Sequence, residues 1–315
     1  MSGLWLKAIT CYSLTDFPKL SVAELEDALS AQRFTPCGEL DRERHGFTPA
    51  FEQQTLVRKT DDVLWLQVMS EKKPVPGKVV KRLLAERVAK IEKEEVRKVG
   101  KKEKKDLKEM VIDELVAKAH PVQSTVTVMI DLKAQRLLVG AVSNKICELV
   151  MSLMLRCIDG FAPKRMEFGA KVTKQMANLL LDEDTSQFET DSSLVLKGPG
   201  TPATTVSFAK HSLASNQIIA HMNAGLRPVS LEMSLGQRVS FVLTDTFGIK
   251  RINYLDLVTS EFESAKPEDA DELTDAILLV QVGELRKVID GLLMWVGQAP
   301  DEEEAPATAE MKEAA

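Results

Sequence analysis

The 315-residue sequence is poor in aromatic side chains: three Trp, two Tyr and eleven Phe make up 5% of it. This argues against base stacking as the main source of any nucleic-acid affinity. It also means that a core must be built from Leu, Val, Ile, Met and Ala. Cysteine is scarce too. Cys11, Cys37, Cys147 and Cys157 are scattered, none in a CxxC and none with a histidine at ligand spacing. The common zinc modules are thereby excluded, and reduced, largely buried thiols are expected. No apolar run approaches the roughly 20 residues a membrane-spanning helix needs. The longest helical one, "ICELVMSLML" (146–155), contains Glu148 and is followed by Arg156. The N-terminus carries no basic leader, apolar h-region or small-residue cleavage site, so the expected location is the cytoplasm.

Catalytic signatures are missing as well. The chain has no GxxxxGK[ST], no GxGxxG opening a helix, no HExxH and no GxSxG. His45, His120, His211 and His221 are mostly far apart in sequence and read as surface or core residues. Acids cluster at "DED" (182–184) and "EDADE" (268–272). Both stretches read as solvated loops, without the framework that clamps two metal ions in a nuclease. No metal or cofactor site is expected.

What is present is enough for a folded core, with 44% hydrophobic residues, and a marked segregation of charge. The net charge is −6. Residues 78–109 nevertheless hold thirteen basic residues against seven acids, while the tail 299–315 holds six acids and one lysine. Such segregation speaks of partners rather than of fold.

Periodicity predicts an α+β chain with mainly antiparallel sheets and packed helices. Strands are expected at 4–14, 55–60 and 63–73, the last two as a hairpin across Asp61–Asp62. A helix is expected at 21–32 with Ser21 as N-cap, and a turn at 34–40. Pro76 opens a helix that runs from Val79 to about Lys98. Gly100 breaks it, and a second helix follows from about Glu103 to Lys118, making a long basic helical hairpin. Beyond it come strands at 124–132 and 135–141 and helices at 144–158 and 169–181. Residues 182–203 read as a loop. Strands follow at 204–210, 227–235, 237–245 and 249–256, with a helix at 215–225 closed by Gly225. A final strand, "DAILLVQ" (275–281), leads into a helix at 282–296. The domain reading is an N-terminal α+β region (1–75), the hairpin (76–119), a second α+β region (120–298) and an acidic, disordered tail (299–315).

The hairpin admits two readings. As a solvated helix pair it is served by the i,i+4 pairs Arg82–Glu86, Glu86–Lys90, Lys90–Glu94 and Glu94–Lys98. Those pairs leave Arg97, Lys98, Lys101, Lys102, Lys104, Lys105 and Lys108 crowded at the bend. Like charges repel there, and a polyanion would relieve the cost. If that polyanion is nucleic acid, binding works by neutralising backbone phosphates, salt-sensitive and nearly blind to sequence. Weaker candidates are Lys250–Arg251, in "TFGIKRINY", and Lys210–His211. Strand alternation allows at most one of Lys250 and Arg251 to face a shared groove.

Four stretches, in order, resemble the bacterial RdgC family: "LWLK" (4–7) its opening strand, "FTPCG" (34–38) its turn after the first helix, 79–111 its basic helical region, and "GIKRINY" (248–254) its late hairpin. The resemblance spans roughly residues 4–297. It implies a non-enzymatic protein that binds duplex and single-stranded DNA without marked sequence preference. Two curved subunits would form a ring-shaped homodimer around a positively lined hole. The protein would associate with the nucleoid and restrain the strand-exchange recombinase RecA. Lys81, Lys90, Arg97, Lys98, Lys101, Lys104 and Lys108 match basic positions of the family's helical region, and Lys250 and Arg251 those of its late hairpin. Gly100 departs, standing where a lysine is expected. "AHPVQ" (119–123) departs too, where an aromatic near His120 would serve subunit contact. The rival readings are a metal-dependent nuclease and a protein-interaction scaffold with a basic hairpin.

Overall fold

The computed structural model describes residues 4–15, 17–18, 20–181, 187–210, 213, 215–256, 258 and 269–297. It is an α+β structure with one large antiparallel sheet of twelve strands. The strands are β1 (Ala8–Ser13), β2 (Glu43–Thr48), β3 (Val57–Thr60), β4 (Val63–Lys72), β5 (Val122–Asp131), β6 (Arg136–Val139), β7 (Lys164–Arg165), β8 (Phe188–Lys197), β9 (Thr205–Phe208), β10 (Arg227–Leu235), β11 (Val239–Thr244) and β12 (Ile249–Tyr254). Their order is β2-β4-β5-β6-β1-β12-β11-β10-β8-β9, with β3 beside β4 and β7 beside β1. The helices are α1 (Val22–Ser30), α2 (Gly77–Glu94), α3 (Lys101–Lys118), α4 (Asn144–Cys157), α5 (Ala170–Leu180), α6 (Asn216–Asn223) and α7 (Ala270–Gly297). Among the described residues, no helix is long and apolar enough to cross a membrane.

Period-2 alternation explains why the central strands are apolar on both faces. Leu64, Leu66 and Val68 of β4 and Val128 and Ile130 of β5 join one core cluster with α1 and α4. Val63, Trp65 and Met129 join the other, which includes Leu278, Leu285, Ile289 and Trp295 of α7. Each large side chain so buried contributes about 1.5–3 kcal/mol. β1 has three partners: it pairs with β6 through Thr10–Ser13, and on its other edge with β12 through Ala8 and Ile9 and with β7 through Tyr12 and Ser13.

α1 starts as its sequence dictates. The Ser21 hydroxyl accepts from the Glu24 N–H, and the Glu24 carboxylate accepts from the Ser21 N–H, a complete capping box. The 55–60/63–73 hairpin also forms, turning at Asp61 with φ 53°.

Several expectations are corrected. β1 begins at Ala8, so "LWLK" precedes the strand. It is held by Gln281, whose amide oxygen accepts from the Leu6 N–H and whose NH2 donates to the Leu4 carbonyl. Residues 188–197 are a strand, not a loop. Only Phe188, Leu194 and Leu196 are buried in β8, and Asp191, Ser192 and Ser193 hide the pattern, since they are poor strand formers. "DAILLVQ" is no strand but part of the 28-residue α7. Ile277, Leu278, Gln281, Val282, Leu285, Val288, Ile289 and Leu292 are all buried along it. That is the i, i+3, i+4 spacing of one helical face, continuing through Gly283. Residues 269–272 are likewise no solvated loop: Asp269 accepts from the Asp271 and Glu272 N–H groups at the head of α7. The "DED" acids, His211 and the acidic tail lie outside the described residues.

Ion pairs clamp α7 to the sheet. Arg58 of β3, 2% exposed, reaches Asp271 and Asp275 at 2.8 Å each. Asp131 of β5 takes a bidentate contact from Arg286 at 2.6 and 2.8 Å, and Arg136 of β6 pairs with Asp290. Glu284 takes a bidentate contact from Arg238 at 2.7 and 3.0 Å. Burial alone would raise the Asp131 carboxyl; Arg286 and the Ala134 N–H outweigh it and hold it below the usual range. Glu284 is lowered in the same way, burial being outweighed by Arg238 and Lys287.

Candidate nucleic-acid interface

α2 and α3 are inserted between β4 and β5. Pro76 is the N-cap of α2, and Gly100 that of α3. Each helix has 18 residues, about 27 Å of length. Val80 of α2 and Val111 and Val116 of α3 are buried, and Arg87 is ion-paired to Glu114 across the two helices. The chain reverses between them through Val96, which has φ 51° and is 89% exposed. Gly100 takes no part in that strain. Its φ is −70°, and a Cβ added there would meet nothing within 4 Å. The glycine that departs from the expected lysine is therefore not demanded by the backbone.

The distribution of acids around the bend decides which cations are free. Arg97 meets Glu95 at 2.6 Å and both oxygens of Glu103 at 2.6 Å. This bidentate partner holds the Glu103 carboxyl below the usual range. Glu92 accepts from the Val99 N–H at 3.1 Å. Glu95, Glu103 and Glu92 are thus spent on one arginine and one backbone group. Arg97 was expected among the uncompensated cations, and the structure places it in a closed ion-pair set instead. Lys90 is 4.0 Å from Glu94, and Arg82 3.8 Å from Glu86.

Lys98, Lys101, Lys102, Lys104, Lys105 and Lys108 are exposed, and none has an ion-pair partner among the described residues. Lys101, Lys104, Lys105 and Lys108 stand at i, i+3, i+4 and i+7, on one side of α3. Lys105 belongs to the cations that the sequence crowds at the bend, although it is not among the positions matched to the family's helical region. The first turn of α3 has no side-chain cap, so its free N–H groups add positive potential beside these lysines. Lys81 of α2 and Lys108 of α3 face one cleft. It has a volume of about 380 Å³ and is also lined by Arg42, Lys73, Val80 and Ile112. Arg42 is tied to Asp113 at 2.9 Å and Lys73 to the Gly38 and Glu39 carbonyls; Lys81 and Lys108 have no such partner.

The other basic candidates lie elsewhere on the sheet. Lys250 pairs in register with Ala8 and with Val242. Arg251 has φ 53° at a register shift opposite Ser240–Val242. This β-bulge breaks the alternation. Ile249 and Ile252 are buried, while Lys250 and Arg251 between them both stay out of the core. The expectation that the two must face opposite ways is corrected by that extra residue. In the order β12-β1-β6-β5, Lys250 stands three strand positions, about 14 Å, across the sheet from β5, the strand at which the helix pair rejoins it. Lys210, exposed and with φ 55°, follows β9 at the far edge. Strand order keeps it apart from the helix pair.

No group of three or more His, Cys, Asp or Glu side chains among the described residues could hold a metal ion. All four cysteines are free: Cys11 and Cys147 are buried, Cys37 and Cys157 half-buried.

Fold and surface together define an α+β protein with one large antiparallel sheet and an exposed helix pair that carries uncompensated lysines. A family model described as "Putative exonuclease, RdgC" matches residues 4–299, and the chain belongs to the RdgC family. Similar proteins are named recombination-associated protein RdgC. That of Paraburkholderia phymatum is 29% identical over 300 residues, 95% of this chain and 98% of the relative. That of Herminiimonas arsenicoxydans is 29% identical over 295 residues, 93% and 98% of the two chains. That of Neisseria meningitidis serogroup B is 30% identical over 302 residues, 93% and 99%.

Proposed function

We propose that this chain is a non-enzymatic, sequence-independent DNA-binding protein. It binds duplex and single-stranded DNA and modulates homologous recombination at the nucleoid, restraining RecA by occupying or encircling the DNA. The observation that carries this reading is the side of α3 with Lys101, Lys104, Lys105 and Lys108 exposed and without an ion-pair partner among the described residues, while Glu92, Glu95 and Glu103 at the bend are engaged elsewhere. Four cations held on one side of a helix match the spacing-tolerant, sequence-blind chemistry of a phosphate backbone. The relatives' printed name, recombination-associated protein, supports the recombination role. In this reading the chain works as a ring-shaped homodimer. Val122, 59% exposed at the start of β5, lies where β5 pairs with β4 but not with β6. It offers an open strand edge for subunit contact.

A salt series on random-sequence duplex and single-stranded DNA, with the mass checked by light scattering, tests this. Sequence-blind binding by a dimer, falling steeply with salt, is the expected result. Absence of binding at low salt refutes it. The family's printed description favours a second reading, an exonuclease. End-labelled linear DNA and plasmid incubated with Mg²⁺ or Mn²⁺ separate the two: the non-enzymatic reading expects both to stay intact.

A further inference from the structure

A second cationic cleft lies in the other half of the sheet. Lys197 ends β8 and Arg227 begins β10, and the two are direct partners in register. Residues directly opposite each other across a strand pair share one face, with Cβ atoms about 4.5–5.5 Å apart, and like charges placed so are destabilising. Both side chains are exposed, and neither has an ion-pair partner among the described residues. Arg58, Arg136, Arg238 and Arg286 of the same fold, by contrast, each meet a carboxylate.

The cation pair is set in a recess. Lys197, Arg227, Gly198, Gly225 and Thr173 of α5 help to line a cleft of about 350 Å³ with no acid in its wall. That volume stands at the lower end of the about 300–1,000 Å³ of small-molecule sites, the scale of one nucleotide rather than of a duplex. Charge narrows the occupant further. A phosphate monoester carries about −1.5 to −2 at neutral pH, a backbone diester about −1. Two cations match the monoester, and such an occupant turns their mutual repulsion into attraction. The chemistry of the pair fits as well. An arginine fork takes two phosphate oxygens at once, and a lysine adds a point charge. A threonine hydroxyl is a neutral donor for a further oxygen.

We propose that the cleft of Lys197 and Arg227 binds a phosphate monoester, carried by a free nucleotide or by the 5′ end of a nucleic-acid strand. Arg227 takes two oxygens of the phosphate, Lys197 compensates its second charge, and the Thr173 hydroxyl donates to it. The site does not depend on the lysine side of α3. That side follows backbone diesters, whereas this cleft selects a terminal dianion.

Acetylation of the full-length protein, read residue by residue by mass spectrometry, tests it. Lys197 is the reporter, and exposed Lys133 at the β5–β6 turn is the reference. Millimolar AMP is compared with adenosine, and a short random-sequence single strand with a 5′ phosphate is compared with the same strand ending in a 5′ hydroxyl. The expected result is a roughly threefold or greater fall in Lys197 acetylation, as for a site filled at about twice its Kd, with Lys133 unchanged. Protection by AMP alone assigns the cleft to free nucleotides. Greater protection by the phosphorylated strand than by its hydroxyl counterpart assigns it to strand ends. In either case R227Q should abolish the protection and R227K should largely keep it. Equal protection by the two strands overturns the proposal, because it assigns the cleft to backbone phosphate. So does an absence of protection in every arm, or protection that R227Q leaves intact. Binding of the 5′-hydroxyl strand, followed by fluorescence anisotropy, judges the DNA-binding reading separately, so that either can fail alone.

Discussion

The separation of free from paired cations at the α2–α3 bend makes a quantitative prediction. In the variant K101Q/K104Q/K105Q/K108Q, four unpaired cations are removed from one side of α3, and Gln has nearly the helix propensity of Lys. If each neutralises one duplex phosphate, the slope of log K against log salt becomes shallower by about 3.6. Over a fourfold rise in salt, that difference amounts to about 150-fold in affinity. The control is R97Q/E103Q, which deletes a cation and its bidentate partner together. Because Arg97 is already satisfied within the protein, its slope should stay within about 0.5 of the parent. Fluorescence anisotropy on one random duplex from 50 to 300 mM salt, all three proteins side by side, gives the three slopes. Equal loss in the two variants would show that ion pairing at the bend does not decide which cations meet DNA. An unchanged slope in the lysine variant would remove α3 from the interface altogether.

Two further predictions concern the scaffold. D131N leaves Arg286 facing an amide in a site where Asp131 is 1% exposed; the expected loss is about 2–4 kcal/mol by urea unfolding. Asp131 and Glu284 are lowered in the folded state, so their stabilisation is complete above the unfolded carboxylate range, about pH 4. It is lost as pH falls through the lower folded values, and D131N/E284Q should flatten that acid limb. A steep limb in the double variant would contradict the assignment. At Gly46, an added Cβ would come within 2.5 Å of the Phe34 Cα and 2.7 Å of the Gln32 carbonyl oxygen, both backbone. G46A should therefore cost about 3 kcal/mol or more, while G100A, which meets no neighbour and only puts a poorer residue at the N-cap of α3, costs about 1 kcal/mol or less. Equal melting temperatures for the two would refute the packing argument.

Much of the fold was legible where local chemistry decides it. Ser21 announced α1, the Asp61–Asp62 pair announced the β3–β4 turn, and Pro76 announced the start of α2. Long-range partners were not legible. β8 is held by β10 and β9, and nothing within "FETDSSLVLK" says so. The start of α7 looked like a strand because a short apolar run fits either period until its continuation is weighed. β2 was missed because its sequence, "ERHGFT", owes its place to β4 and to Gly46 against Phe34. For the candidate site, charge density marked out the stretch of chain that contains α2 and α3. It could not tell Arg97 from Lys101, because that distinction is a matter of which acid the backbone brings within 2.6 Å. The bulge at Arg251 was likewise hidden, since "GIKRINY" contains no residue that demands a positive φ at that place.

The position of β1 bears on how this protein is made. Its residues at one end find β6 about 130 residues later, but Ala8 pairs with Lys250, about 240 residues downstream. At the usual pace of synthesis that interval is about 10–50 s. For that time the Ala8–Ile9 end of the first strand presents unpaired N–H and C=O groups on the edge away from β6, while β7 covers Tyr12 and Ser13 earlier. Such an edge can recruit the same strand of a neighbouring nascent chain. The completed sheet is therefore closed in its middle by its last-made half, and the yield of native protein depends on how long β1 can wait for β12.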